Sequence, residues 1–295
     1  MGALDGRVAI ITGAGGGLGR EHALLFASEG AKVVVNDLGG NVDGSGADRA
    51  AAQVVVDEIL AMGGEAVANV DNVADWEGAQ RLVQTAVDAF GDLHVLVNNA
   101  GILRDRVLVN MSEQEWDAVI HVHLKGHFAP TRFAAAYWRE KTKAGKTTNA
   151  AIINTSSTSG LIGNPGQANY GAAKSGIATF SQIAAMELVR YGVRSNSIAP
   201  AARTRMTEGA PGLSEVVKVP TDVTKFDVWA PANVSPMVAY LATEDCPFTG
   251  ETFLVQGDMV QRFAPWTLSE KISNNQERWT IAQLQAAAPT GLAKQ

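Results

Sequence analysis

The stretch TGAGGGLG at positions 12–19 follows the apolar run RVAII without a break and leads straight into LGREHALLFASEG, whose apolar residues recur at helical spacing. A strand that passes through a cluster of glycines directly into a helix leaves few folds open. Gly13, Gly17 and Gly19, with Leu18 in the same turn, let the backbone bend sharply and come close to anything at the helix N-terminus. There, unpaired N–H groups attract phosphate. The spacing is wider than GxGxxG, so the flanking strand and helix carry the reading, which is a dinucleotide pyrophosphate seated over this turn.

The alternation continues along the chain. Short β-branched runs lie at 7–12, 31–37, 65–70, 93–99, 150–157, 194–200 and 252–258, separated by amphipathic or Ala-rich stretches, several ending in Gly. Strands that are apolar throughout are covered on both faces. Their alternation with helices predicts an α/β fold: one Rossmann-type, doubly wound parallel sheet with right-handed crossovers. The expected domain covers 1–258, and 259–295 forms a C-terminal helical tail packing on the domain or on a neighbouring subunit. Three segments break the rhythm: LGGNVDGSGADR (38–49), the basic EKTKAGKTTN (140–149), read as a loop, and the irregular 203–229. A long connection at the carboxyl end of a strand is well placed to cover a substrate.

Bulk properties remove other classes. The formal net charge is −6 and no long Lys/Arg run appears, which argues against nucleic acid as a partner. The single Cys246 cannot form an intramolecular disulfide, and no Cys or His pairs have zinc spacing, so no metal is expected. No apolar run reaches membrane-span length. The N-terminus lacks a signal-peptide pattern and the C-terminal LAKQ is not an SKL-type address. The expectation is a soluble, cytoplasmic protein.

Two sets of residues carry chemistry. Asp37 ends the second strand about 20 residues past the glycines, where a carboxylate can accept both ribose hydroxyls. A 2′-phosphate would meet that charge, and positions 14–16 hold no arginine, so the expected cofactor is NAD. Asp71, followed by Asn72 and Val73, ends the third strand; it either binds the adenine amino group or is an exposed carboxylate capping the next helix. In YGAAK, Tyr170 and Lys174 lie one helical turn apart on one face. A positive charge about 4 Å from the phenol favours phenolate by about 4 kcal/mol at an effective dielectric near 20. That would bring the tyrosine from about 10 towards 7. The alternative is an ordinary surface pair.

TGAGGGLG, NNAG at 98–101, Ser157 and YGAAK together resemble the short-chain dehydrogenase/reductase family over about residues 5–258. The resemblance implies an NAD-dependent enzyme oxidising a secondary alcohol to a ketone. Tyr170 would take the hydroxyl proton, Ser157 would hydrogen-bond the carbonyl oxygen, and Lys174 would bind the nicotinamide ribose and lower the tyrosine pKa. It also implies cofactor contacts from Asn99, Ala100, Gly101 and Thr204, and assembly as a homodimer or homotetramer through the helix containing YGAAK.

His123 in HVHLKGHF stands where many family members have Asn, and is either part of a proton relay or a packed histidine bonded to a backbone carbonyl. With the insertion after NDLGG, NNAGILRDR and GQANY, it gives a resemblance to one subgroup. That subgroup is the (3R)-hydroxyacyl-CoA dehydrogenase domain of peroxisomal multifunctional enzyme type 2, also called 17β-hydroxysteroid dehydrogenase type 4-like. The implied substrate is a fatty or steroid side-chain acyl-CoA. A dehydrogenase of a free hydroxysteroid or other secondary alcohol remains an alternative, as does a non-catalytic NAD-binding sensor. The basic residues Arg139, Lys141, Lys143 and Lys146 either attract a CoA phosphate or form a solvated surface. Phe226, Trp229 and Trp266 either line an apolar pocket or pack a core or interface, and the tail residues Trp279, Ile281 and Leu284 are expected to cover the site or a neighbour.

Overall fold

The computed structural model describes residues 2–46, 50–208, 215–222 and 224–292. In chain order the elements of the first part are β1 (Val8–Thr12), α1 (Gly17–Ser28), β2 (Lys32–Asn36), α2 (Ala50–Ala61), β3 (Glu65–Asn69), α3 (Trp76–Phe90) and β4 (Val95–Asn98). Then come α4 (Glu113–Ile120), a π-helical turn (His121–Lys125), α5 (Gly126–Lys143), β5 (Ala150–Thr155), α6 (Thr158–Leu161) and α7 (Ala168–Leu188). They are followed by β6 (Val193–Ala201), α8 (Arg205–Glu208), α9 (Ser235–Ala242), β7 (Thr252–Gln256), β8 (Met259–Arg262) and α10 (Ile281–Gly291).

Among the described residues eight strands form one sheet in the order β3-β2-β1-β4-β5-β6-β7-β8. All neighbours are parallel except β7 and β8, which pair antiparallel. The order reverses at β1, which pairs with β2 on one side and β4 on the other, so a crevice opens at the carboxyl ends of these strands. The seven predicted strands are all present within a residue or two of their ends. β8 was not anticipated: the sequence reading ended the sheet at 258. MVQR has no apolar alternation to announce a strand, and all four residues are exposed, because an edge strand owes its existence to backbone pairing more than to burial.

Successive residues of the central strands point to opposite faces. Ala9, Ile11, Val33, Val35, Val97 and Ile153 pack beneath α1, α2 and α9. Val8, Ile10, Val34, Leu96 and Ile152 pack on the other side with Leu82 of α3 and Trp138 of α5. Trp138 is fully buried, and its indole Nε1 donates to the Leu93 carbonyl at 2.8 Å.

The basic segment 140–149 is not wholly a loop. α5 runs on to Lys143, as cations in a last turn favour the helix dipole, and Gly145 follows at φ +74°. Three of the four cations named there are paired: Lys141 Nζ lies 2.6 Å from Asp92, and Lys143 Nζ and Arg139 lie 3.2 and 3.0 Å from Glu140. The segment leads into the amino end of β5, opposite the crevice, so it is a paired surface rather than an anion trap for the site.

Residues 1–262 and 263–295 are two compact units. In the second, Thr280 and Gln283 form a reciprocal capping box at the start of α10, which buries none of its side chains. Trp266 and Ile281 are exposed, Leu284 is too, and Trp279 is half-buried. Among the described residues no helix is long and apolar enough to cross a membrane, and no cluster of three or more His, Cys, Asp or Glu is arranged for a metal.

Truncating Trp138 to Ala removes both the ring and its hydrogen bond from a filled site. Urea denaturation of Trp138→Ala is expected to show a loss of about 3–5 kcal/mol.

Candidate active site

The glycine turn and the β4 end are locked together. Thr12 Oγ1 accepts from the backbone N–H of Asn99 at 2.9 Å and of Ala100 at 3.1 Å. In return Asn99 Nδ2 donates to the carbonyls of Thr12 and Gly13 at 3.0 and 3.1 Å. A Cβ on Gly19 would lie 2.1 Å from the Gly13 oxygen, and one on Gly13, at φ +63°, would lie 2.8 Å from Ala100 Cα. Gly17, at φ +52°, opens α1 and meets only Thr204 Cγ2 within 4 Å, at 3.9 Å. Leu18 packs against the core. The result is a shallow backbone cradle at a helix N-terminus with Thr204 across from it. Its shape and donors fit a dinucleotide.

Asp37 borders the same cradle. Its Oδ2 accepts from Gly15 N at 2.7 Å and its Oδ1 from Gly39 N at 2.6 Å. Each carboxylate oxygen keeps acceptor capacity beyond these bonds. Asp71 is not the cap of the next helix, and its carboxylate is paired rather than free. Its Oδ1 accepts from Arg81 at 2.8 and 2.6 Å and its Oδ2 from Asn69 Nδ2 at 3.0 Å. The cap of α3 is Asp75, which accepts from Gly78 N at 2.8 Å. Asn72 Oδ1 accepts from Ala74 N at 2.9 Å, and Val73 is buried against the core with Gly126.

Ser157, Tyr170 and Lys174 come together at the carboxyl end of β5. Ser157 follows β5 in extended conformation as N-cap of α6, its Oγ accepting from Ser159 N at 3.2 Å. Tyr170 and Lys174 project from α7 towards it, with the Ser157 hydroxyl close enough to the phenol to lower its pKa. Lys174 Nζ lies 5.4 Å from the Tyr170 ring centroid and donates to the Thr155 carbonyl at 2.6 Å. Ser156, next to Ser157, donates to the Lys174 carbonyl at 2.8 Å and so fastens α7 to β5.

The protonation states differ from the sequence expectation. Burial pushes the Tyr170 phenol up to about 12, against a smaller lowering by Ser157. Burial also lowers Lys174 to about 7. The expected lowering of the tyrosine assumed a lysine charged at all pH values and a solvated phenol. Here both groups lose water, so the lysine is the one that titrates near neutrality.

His123 lies in the π-helical turn, fully buried, its ring edge-on to Tyr170 with centroids 5.1 Å apart. Its Nε2 lies 2.7 Å from the Ile102 carbonyl and 3.0 Å from the Ile102 N–H. A Cβ on Gly101 would lie 2.3 Å from its Cε1, so glycine there makes room for the ring. Burial, then the Lys174 charge, hold it well below its ordinary value and therefore neutral. Both readings of His123 keep support. The ring is packed against backbone, while Nδ1 is buried without a partner among the described residues.

Of the aromatics, Phe226 and Trp266 are exposed and Trp229 is half-buried, so none of the three is a core residue. Sequence reasoning passed over two buried residues. His127, one turn after His123, is kept neutral by burial and by Lys174. Asn169, fully buried beside Tyr170, donates to the carbonyls of Arg104 and Glu115. A polar residue at the start of a helix was the only available signal for Asn169, and it is a common one.

A doubly wound sheet with a phosphate cradle at its switch point, and Ser, Tyr and Lys converging beside it, defines a dinucleotide-dependent oxidoreductase. The chain belongs to the short-chain dehydrogenase family, whose profile matches residues 7–211. Hydroxyacyl-CoA dehydrogenase ChsB1 of Mycobacterium tuberculosis is 43% identical over 290 residues, covering 96% of this chain and 87% of that protein. Peroxisomal multifunctional enzyme type 2 of Drosophila melanogaster is 50% identical over 246 residues, 83% of this chain but only 38% of the longer enzyme. The crystal structure of a short chain dehydrogenase from Mycobacterium avium superposes with TM-score 0.87 at 52% identity, covering 99% of this chain and 96% of that one. The family binds NAD(P), and the cradle is compatible with either.

The lysine shift carries a sign. Its folded value of about 7 lies below the ordinary 10.5, so between these pH values the unfolded chain binds the extra proton and folding gains stability as pH rises. Chemical denaturation should show wild type gaining about 3–4 kcal/mol over Lys174→Met between pH 7 and 10.

Proposed function

We propose that this chain oxidises the 3-hydroxyl of a (3R)-hydroxyacyl-CoA, fatty or steroid side-chain, to the ketone, with NAD as cofactor. The convergence of Ser157, Tyr170 and Lys174 beside the glycine cradle carries the reading of alcohol oxidation. The hydroxyacyl-CoA name of ChsB1, together with the NNAGILRDR, GQANY and His123 phrases, supports the thioester. NAD, when bound, supplies the hydride acceptor. Ser157 orients the substrate oxygen through its hydroxyl, and Tyr170, in its phenolate form, takes the hydroxyl proton as the C–H bond gives up its hydride. Lys174, titrating near neutrality within reach of the phenol, stabilises the phenolate when charged. His123 stays neutral, so a proton it passes must enter one ring nitrogen as another leaves the other.

Asp37 supports NAD over NADP. Its remaining acceptor sites suit ribose hydroxyls, and its charge opposes a 2′-phosphate. Asp37→Ala is expected to lower the NAD/NADP ratio of kcat/KM at least about tenfold, equivalent to some 1.4 kcal/mol. The exposed apolar residues Phe128 on α5 and Ile183 and Met186 on α7 support self-association through this face as a homodimer or homotetramer.

The deciding measurement is NADH appearance at 340 nm with a (3R)-hydroxyacyl-CoA and a free hydroxysteroid in parallel, and the reverse reaction with both reduced nicotinamides. Far higher kcat/KM for the thioester is expected; turnover of the free alcohol alone would remove the acyl-CoA reading. Tyr170→Phe should lose at least about 10²-fold in kcat while still binding NADH. Binding without turnover in the wild type, with every substrate, would leave only a dinucleotide sensor.

A further inference from the structure

The described part of the insertion between β2 and α2, residues 38–46, does not project freely. Residues 41–45 close into a turn, with Asn41 N donating to the Ser45 carbonyl at 2.7 Å and Gly44 N to the Asn41 carbonyl at 2.9 Å. Asp43 Oδ1 accepts from Ser45 N at 2.9 Å and Ser45 Oγ at 2.7 Å. This turn rests on the segment that follows NNAG. Leu103 N donates to the Val42 carbonyl at 2.8 Å, and Arg104 Nε to the Asp43 carbonyl at 2.9 Å. Gly44 faces Ile102 so closely that a Cβ there would lie 3.1 Å from Ile102 Cδ1.

The other side of the same segment holds the start of α7. The Arg104 carbonyl accepts from Asn169 Nδ2 at 3.0 Å, and Asn169 Oδ1 accepts from the Tyr170 backbone N–H at 2.7 Å. Asn169 is fully buried, and its amide also donates to the Glu115 carbonyl at 3.1 Å. Beside it Gln167 Nε2 donates to Asp105 at 2.7 Å, and Arg106 N to the Gly166 carbonyl at 2.8 Å. Asp37 lies immediately before the insertion, so one continuous set of bonds runs from the ribose-side carboxylate to the residue that moves the proton.

We infer that Arg104 and Asn169 are positioning residues for Tyr170, tying the first turn of α7 to the β2–α2 insertion so that the cofactor-side loop sets where the phenol stands. Asn169 acts at the helix end, where the backbone N–H groups have no intrahelical partner and side chains decide the geometry. Arg104 acts one step further out. Neither touches the reacting atoms. A displacement of the phenol by about 1 Å is enough to slow proton transfer by up to about 10²-fold.

The inference rests on Tyr170 being the acid–base, and two kinds of readout in the full chain keep the two ideas separate. In the first, Arg104→Ala and Asn169→Ser are assayed with the wild type's best alcohol and its carbinol-deuterated form. Each is expected to lower kcat about tenfold or more, leave NADH affinity unchanged and enlarge the deuterium isotope effect. The double variant should be no worse than the poorer single one, because both cut the same tie. A variant that had only lost folded molecules would keep the wild-type isotope effect, and that outcome overturns the inference. The second readout needs no turnover. Hydrogen exchange of Arg104→Ala should quicken over 166–172 and stay at the wild-type rate in β1; unchanged exchange over 166–172 also overturns it. If Tyr170→Phe keeps its activity, the acid–base reading falls, while the exchange result still judges the tie.

Discussion

A lysine ammonium with almost no contact with water is the constraint around which the site is organised. Taking a cation out of water is tolerable only if hydrogen bonds or a change of charge state offset the loss. Lys174 does both: it donates to the Thr155 carbonyl and its pKa falls to about 7. To place that nitrogen, α7 must lie against the end of β5, and Ser156 bonding the Lys174 carbonyl fixes the approach. Ser157 and Tyr170 then face each other as a consequence of the same docking. The site is a by-product of holding one buried charge correctly.

The neighbours of that lysine follow from its field. His123 and His127 sit within its influence and are both buried, so both are kept neutral. Two imidazoles there can exchange hydrogen bonds without adding charge to a region that already holds a cation. The unpaired Nδ1 of His123, Nε2 of His127 and Oγ1 of Thr155 are concentrated in this part of the molecule. Polar atoms left without protein partners in a core are where ordered water normally resides.

Most of the fold was legible because its signals were local. Runs such as VAIIT and KVVVN can only be strands buried on both sides, and the glycines at 13, 17 and 19 announce the turn between β1 and α1. β8 was missed because its residues face solvent and carry no pattern. The extension of α5 was missed because lysines read as loop when they are in fact placed on a helix C-terminus. The trio of Ser157, Tyr170 and Lys174 was legible as a motif, while the burial that shifts its pKa values was not, since dehydration depends on neighbours contributed from all along the chain. The ion pair of Asp71 was hidden for a related reason: Arg81, ten residues away on α3, donates to its carboxylate. Asn169 and Arg104 gave no warning because their partners are backbone carbonyls, which any sequence supplies.

The position of β1 at the centre of the sheet has a consequence for how the protein is made. Its outer edge can pair early with β2, but its other edge waits for β4, where Ala9 meets Val95. At roughly 5–20 residues per second on the ribosome, β1 keeps one bare apolar edge for several seconds or more. Such an edge is a template for pairing with the wrong chain. The nascent protein is therefore exposed to aggregation through this edge until β4 has been translated.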